Sequence, residues 1–191
     1  LEVAEDYATM AGNVLKAVQV KDTRASTTVT LNTKSVRAAI ANFVRLTLEN
    51  PAIEVHLEYF TTSEIGKELV GSTPLPSGEA GLAYWRSTAK SGDLSPLRQL
   101  LDSDSFVEPV RTFVRERDDE QLRNDLLRRI HWNCGQPDLA ALRREFNQRL
   151  IVVARERFQL PASESESVAD TLLYNVLEKS IGKNASERWL T

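Results

Sequence analysis

Apolar and polar positions alternate with period two near the start of this chain and recur at helical spacing over most of the remainder. Leu1 to Thr9 is strand-like, and Val14 to Val20 returns as a second strand rich in valine. Ala11-Gly12-Asn13 between them reads as a turn, because Gly and Asn tolerate positive φ. The simplest arrangement is a hairpin, with Val18 and Val20 directed into a core and Val29-Thr30-Leu31 continuing the extended chain. Thr33 is placed to cap a helix running to about Asn50, on which Val36, Ile40, Phe43, Val44 and Leu48 fall on one face. Asn50-Pro51 stops it. Ile53 to Tyr59 then alternates apolar and polar residues, the mark of a half-buried strand. Hairpin, helix, strand in that order implies a sheet with a crossover connection.

Residues 80 to 191 read as helix throughout, with spans near 80–90, 94–101, 105–130, 137–158 and 166–181. The third span carries a break signal at Asp118-Asp119. Leu122, Leu126, Leu127 and Ile130 form one apolar stripe, and Leu139, Leu142, Phe146, Leu150 and Val153 form another; both read as core. The turn-rich stretch Gly71 to Gly78 separates the two regimes. The expected organisation is an α/β core over residues 1–71 and an all-α subdomain over 79–191. Leu1 opens directly into a strand and Met10 is the only methionine, so the sequence reads as a piece of a longer protein.

Composition narrows the function classes. Among 191 residues 41% are hydrophobic and 27% charged, which suits a folded domain. No apolar run approaches the roughly 18 to 20 residues that span a bilayer, so no membrane association is expected. One cysteine, Cys134, leaves no disulfide framework or multi-cysteine zinc site and is compatible with a cytoplasmic location. A net charge of −3 argues against a histone-like nucleic-acid binder but leaves room for a local phosphate groove.

The hairpin suggests where chemistry sits. A turn at Gly12-Asn13 puts Asp6 opposite Gln19, and alternation puts Lys21 on their face. A carboxylate, an amide oxygen and an ammonium then converge on one patch. Mg²⁺ (or Mn²⁺) prefers hard oxygen ligands and keeps several waters. Asp6, the Gln19 side-chain oxygen and the Val20 main-chain carbonyl are its candidate ligands. Such an ion polarises phosphate and lowers the pKa of bound water. Lys21 is the candidate to orient that water or stabilise the pentacovalent charge. Glu5 or Glu2 is a candidate second acid, although this register puts Glu5 on the opposite face unless a bulge intervenes. Gln-x-Lys alone also describes many solvent-facing strands.

Asp6 followed by Gln19-Val20-Lys21 resembles the PD-(D/E)xK nuclease superfamily in its Asp…Gln-x-Lys variant. More narrowly, Glu2-x-x-Glu5-Asp6, Val18-Gln19-Val20-Lys21-Asp22-Thr23, the Phe43 helix and a strand ending Thr61-Thr62-Ser63-Glu64-Ile65-Gly66-Lys67-Glu68 resemble one subgroup. Its members are double-stranded DNA endonuclease domains fused to sensor or ATPase modules in bacterial anti-phage defence, including CD-NTase-associated effectors of cyclic-oligonucleotide signalling. The resemblance implies a restriction-endonuclease-like core of helix, three strands, helix and strand, whose first helix, carrying a further acid, precedes the sequence in hand. It assigns Asp6, Gln19 and Lys21 to the motif, Gln19 standing where an acid is commoner. It also implies sensor or ATPase domains in the same parent chain and homo-oligomerisation on activation.

Double-stranded DNA is the expected partner, cut with little sequence preference, since no base-reading module is evident. Lys16, Lys21, Arg24, Lys34 and Arg37 are the cations expected nearest its phosphates, with Thr61, Thr62 and Ser63 as neutral donors. RNA cleavage would use the same catalytic group. The competing expectation is an inactive nuclease-fold module serving assembly or nucleic-acid binding. Glu54-x-His56-x-Glu58 has the spacing of metal ligands but reads better as a solvated strand face. The arginines between Arg111 and Arg157 are interleaved with acids and read as surface ion pairs.

Overall fold

The computed structural model describes residues 7–21, 28–69, 74–76 and 78–159, together with 161, 164, 167, 168 and 171. Strands β1 (Tyr7–Ala11) and β2 (Val14–Lys21) form the hairpin. Tyr7 pairs with Val18 and Ala11 with Val14, the register that a Gly12-Asn13 turn dictates. Gly12 takes φ of 60°, which a residue without Cβ adopts at no steric cost. Helix α1 (Lys34–Glu49) buries Val36, Ala39, Ile40, Phe43, Val44 and Leu46, while Leu48, expected on that stripe, is 52% exposed in its last turn. Thr33 occupies the N-cap, but its hydroxyl accepts the Thr30 N–H at 2.9 Å and makes no bond into the helix. Asn50 closes the other end, where its backbone and side-chain N–H groups both donate to the Leu46 carbonyl.

Thr28–Val29 (β3) pairs with Glu64–Ile65 (β5) as a small parallel sheet of its own. Strand β4 (Glu54–Thr61) keeps strict alternation: Val55, Leu57, Tyr59 and Thr61 are buried, and the intervening residues are not. Ile130–Asn133 forms a further strand, β6, parallel to β4. This corrects the expectation of helix throughout residues 80–191. Ile130-His131-Trp132-Asn133 alternates like a strand, but four residues inside a helical stretch carry too little periodicity to stand out. The main sheet is mixed, in the order β1-β2-β4-β6, with β1 antiparallel to β2 and the other neighbours parallel.

Among the described residues four short helices lie between β5 and β6: α2 (Gly81–Thr88), α3 (Ser95–Leu101), α4 (Glu108–Arg115) and α5 (Asp119–Leu122). A single π-helical turn, Arg123–Leu127, follows α5. The expected 105–130 helix breaks at Asp118, where a capping box restarts the chain: Asp118 accepts the Gln121 N–H and Gln121 accepts the Asp118 N–H. Leu122, Leu126, Leu127 and Ile130 are all buried, as their spacing implied. They join a continuous apolar cluster with the sheet and α1, in which Trp85 sits edge-on to Trp132 at 5.5 Å.

By contact density the chain divides into two compact units, Leu1–Gln136 and Pro137–Thr191. In the second unit α6 runs Leu139–Phe158. Its expected core stripe is corrected: Leu142 is 47%, Phe146 37% and Val153 41% exposed, so helical spacing here marks an amphipathic face that nothing covers among the described residues. The expected 166–181 helix lies mostly outside the described residues. The architecture is therefore a mixed α/β sheet with helices, followed by a helical C-terminal region. No described helix is long and apolar enough to cross a membrane.

Candidate active site at the carboxyl ends of the strands

Parallel pairing brings the carboxyl ends of β2, β4 and β6 to one edge, the edge at which open α/β sheets place their ligands. Lys21 lies opposite Thr61, and Phe60 opposite Asn133. The start of α1 reaches the same end, since the Ser35 hydroxyl is 2.9 Å from the Tyr59 hydroxyl. Burial of Tyr59 pushes its phenol above the ordinary range, opposed by that hydrogen bond.

Gln19 and Lys21 share a face, as the strand period requires, and it is the face of Leu15 and Ala17. Gln19 sits beside Tyr59 in register and is 7% exposed. Its Oε1 is buried without a hydrogen-bond partner. An unsatisfied buried acceptor costs about 1–3 kcal/mol, a cost that a water, an N–H donor or a cation at that oxygen would relieve. Lys21, two residues on, is half-buried at the strand end.

Val20 corrects the reading of the opposite face. Val18 is buried there, 5% exposed, between Tyr7 of β1 and Glu58 of β4, but Val20 is 50% exposed. The difference lies in the neighbours: Val20 stands beyond the last described β1 pair.

The other expected residues are distributed as follows. Asp6, Glu5, Glu2 and Arg24 lie outside the described residues. Lys16 is exposed on the face opposite Gln19 and Lys21, and so is not brought to them. Lys34 is exposed in the first turn of α1, and Arg37 one turn further donates to the Ser105 carbonyl at 3.0 Å. Thr61 and Ser63 are buried, and Thr62 is half-buried. The Thr61 hydroxyl accepts the Ser63 N–H. The carbonyls of Thr61 and Ser63 accept the N–H groups of Gln136 and Gly135 at 2.9 and 2.8 Å. The segment after β6 therefore clasps the turn after β4. Sequence reasoning missed this clasp with β6 itself. Gly135 was its readable signal, because it takes φ of 70° and any Cβ there would meet the Glu64 carboxylate.

The rival constellations are engaged elsewhere. His56 bonds Glu54 at 2.9 Å, which with the charge of His56 holds the Glu54 carboxyl below its usual range. Glu58 accepts the Asn133 amide N–H at 2.8 Å. Among the described residues no group of three or more His, Cys, Asp or Glu side chains is placed to hold a metal. Burial pushes the Cys134 thiol up, the opposite of an activated nucleophile.

No protein-family model, curated protein or solved structure matches this chain.

Proposed function

We propose that this chain is a metal-dependent endonuclease domain on a restriction-endonuclease-like core. In this reading it cuts double-stranded DNA with little sequence preference, as effector of a larger anti-phage defence protein. The observation that carries the reading is Gln19: a buried, unpartnered amide oxygen two residues before a lysine on the same strand face. That oxygen is a hard, neutral donor and fits Mg²⁺ or Mn²⁺ as one ligand among waters and a carboxylate. Gln19 would hold the ion together with Asp6 and the Val20 carbonyl. When bound, the ion supplies Lewis acidity toward phosphate and a water of lowered pKa.

The chain's own residues do the rest. Gln19, a neutral ligand where an acid is commoner, leaves Asp6 as the charged anchor. Lys21 brings three N–H donors and a positive charge to the same strand end. There it orients the attacking water or offsets the charge that gathers on the phosphate oxygens. The carboxyl-end location, shared with the start of α1 and the clasped turn after β4, supports this placement. The exposed apolar stripe of α6 favours a second reading, an inactive nuclease-fold module whose helical region serves assembly.

Metal removal separates the two. The parent protein, with its activating partner or ligand, is expected to nick and linearise supercoiled plasmid in Mg²⁺ and to leave it intact in EDTA. Cleavage that continues in EDTA would overturn the metal-dependent reading.

A further inference from the structure

Beside β6, at the outer edge of the main sheet, lies a cavity of about 690 Å³ that the proposed chemistry does not use. Its lining includes Arg86, Lys90, Arg128 and His131, together with Trp85 and Trp132, and no carboxylate. Elsewhere in the same unit Arg98, Arg111, Arg115, Arg117 and Arg129 are each held by an aspartate or glutamate. Arg86, Lys90 and Arg128 make no ion pair with a carboxylate among the described residues; Arg86 donates to the Trp132 carbonyl, and Arg128 to the Ala89 carbonyl and the Asn124 side chain. Those backbone contacts fix the guanidinium groups in place without neutralising them. Trp132, 3% exposed, also keeps its indole Nε1–H buried without an acceptor.

We infer that this cavity binds a phosphate-bearing ligand of nucleotide size. Three fixed or adjacent cations create a local positive field in a chain that is acidic overall, which attracts a compact multivalent anion. Guanidinium forks match phosphate oxygens, and Lys90 adds a mobile point charge. The volume lies within the roughly 300–1,000 Å³ typical of small-molecule sites. A free nucleotide and a nucleotide within a strand share this chemistry. The inference stands independently of the Gln19 assignment, because none of these residues belongs to that site.

The test is titration of the 191-residue chain, followed by tryptophan fluorescence, with inorganic pyrophosphate, AMP, adenosine and a short DNA duplex. Saturable binding of pyrophosphate and AMP is expected, with adenosine at least tenfold weaker. Lys90→Glu and Arg128→Gln are each expected to weaken AMP binding at least tenfold, while Arg45→Gln, a surface change on α1 away from the cavity, leaves it unchanged. If the duplex alone saturates, and both cavity variants weaken it, the ligand is a strand. Circular dichroism confirms that the variants fold, and Lys90, exposed and without a side-chain partner in the described residues, is the safer of the two. Equal affinity of AMP and adenosine, the same affinity in both cavity variants as in the parent, or no saturable binding of any phosphate compound would overturn the inference.

Discussion

Replacing Lys21 with alanine is expected to slow Mg²⁺-dependent plasmid cleavage about 10²- to 10³-fold, the loss usual when one preorganised donor to a transition-state charge is removed. The ammonium sits at the end of β2 on the face of Gln19, so its truncation removes a charge next to the proposed metal ligand and disturbs little packing. The expected signature is a fall in kcat with the circular dichroism spectrum unchanged. Lys21→Arg should restore activity only in part, because a planar fork does not replace a compact ammonium. Lys67→Ala, an exposed lysine in the segment after β5, is the control and should cleave normally. Cleavage by Lys21→Ala at the parent rate would remove Lys21 from the chemistry.

Trp85→Ala is expected to cost about 3–5 kcal/mol of stability, the usual range for truncating a buried tryptophan. Trp85 is 1% exposed, donates its Nε1–H to the Leu127 carbonyl at 3.1 Å and packs edge-on against Trp132. Truncation empties that volume and strands the carbonyl inside the cluster that joins α2, the π-helical turn and β6. A domain of this size commonly holds only about 5–15 kcal/mol in total. Urea unfolding should therefore show a much lower midpoint, and a change below about 1 kcal/mol would mean that Trp85 is not a keystone of the core.

The parts of the fold that were legible in the sequence rest on local rules. Gly12-Asn13 sets the hairpin register, the spacing from Val36 to Val44 defines the buried face of α1, and alternation from Val55 to Tyr59 defines β4. What escaped depends on distant partners. Strand β6 exists because β4 offers it an edge some 70 residues earlier in the chain, and four residues cannot announce that pairing. The stripe on α6 has core periodicity, but periodicity alone does not say that a partner surface is present. At the site, the shared face of Gln19 and Lys21 was readable from the strand period. The burial of Gln19 was not, since it arises from lying beside Tyr59 in a chain segment closed by α1. Asp6, on which the metal reading also leans, lies outside the described residues.

Thermal unfolding with and without Mg²⁺, on the parent chain and on Gln19→Leu, shows whether the Gln19 oxygen holds the metal. Replacing an unpartnered buried amide with an apolar side chain of similar size should leave the metal-free protein as stable as before, or up to about 1 kcal/mol more stable. In the parent, Mg²⁺ at 100 times its dissociation constant should add about 2.7 kcal/mol and raise Tm accordingly. In Gln19→Leu that rise should be abolished or much reduced. An equal Mg²⁺-induced rise in both proteins would contradict the account, because the ion would then be held without the Gln19 oxygen.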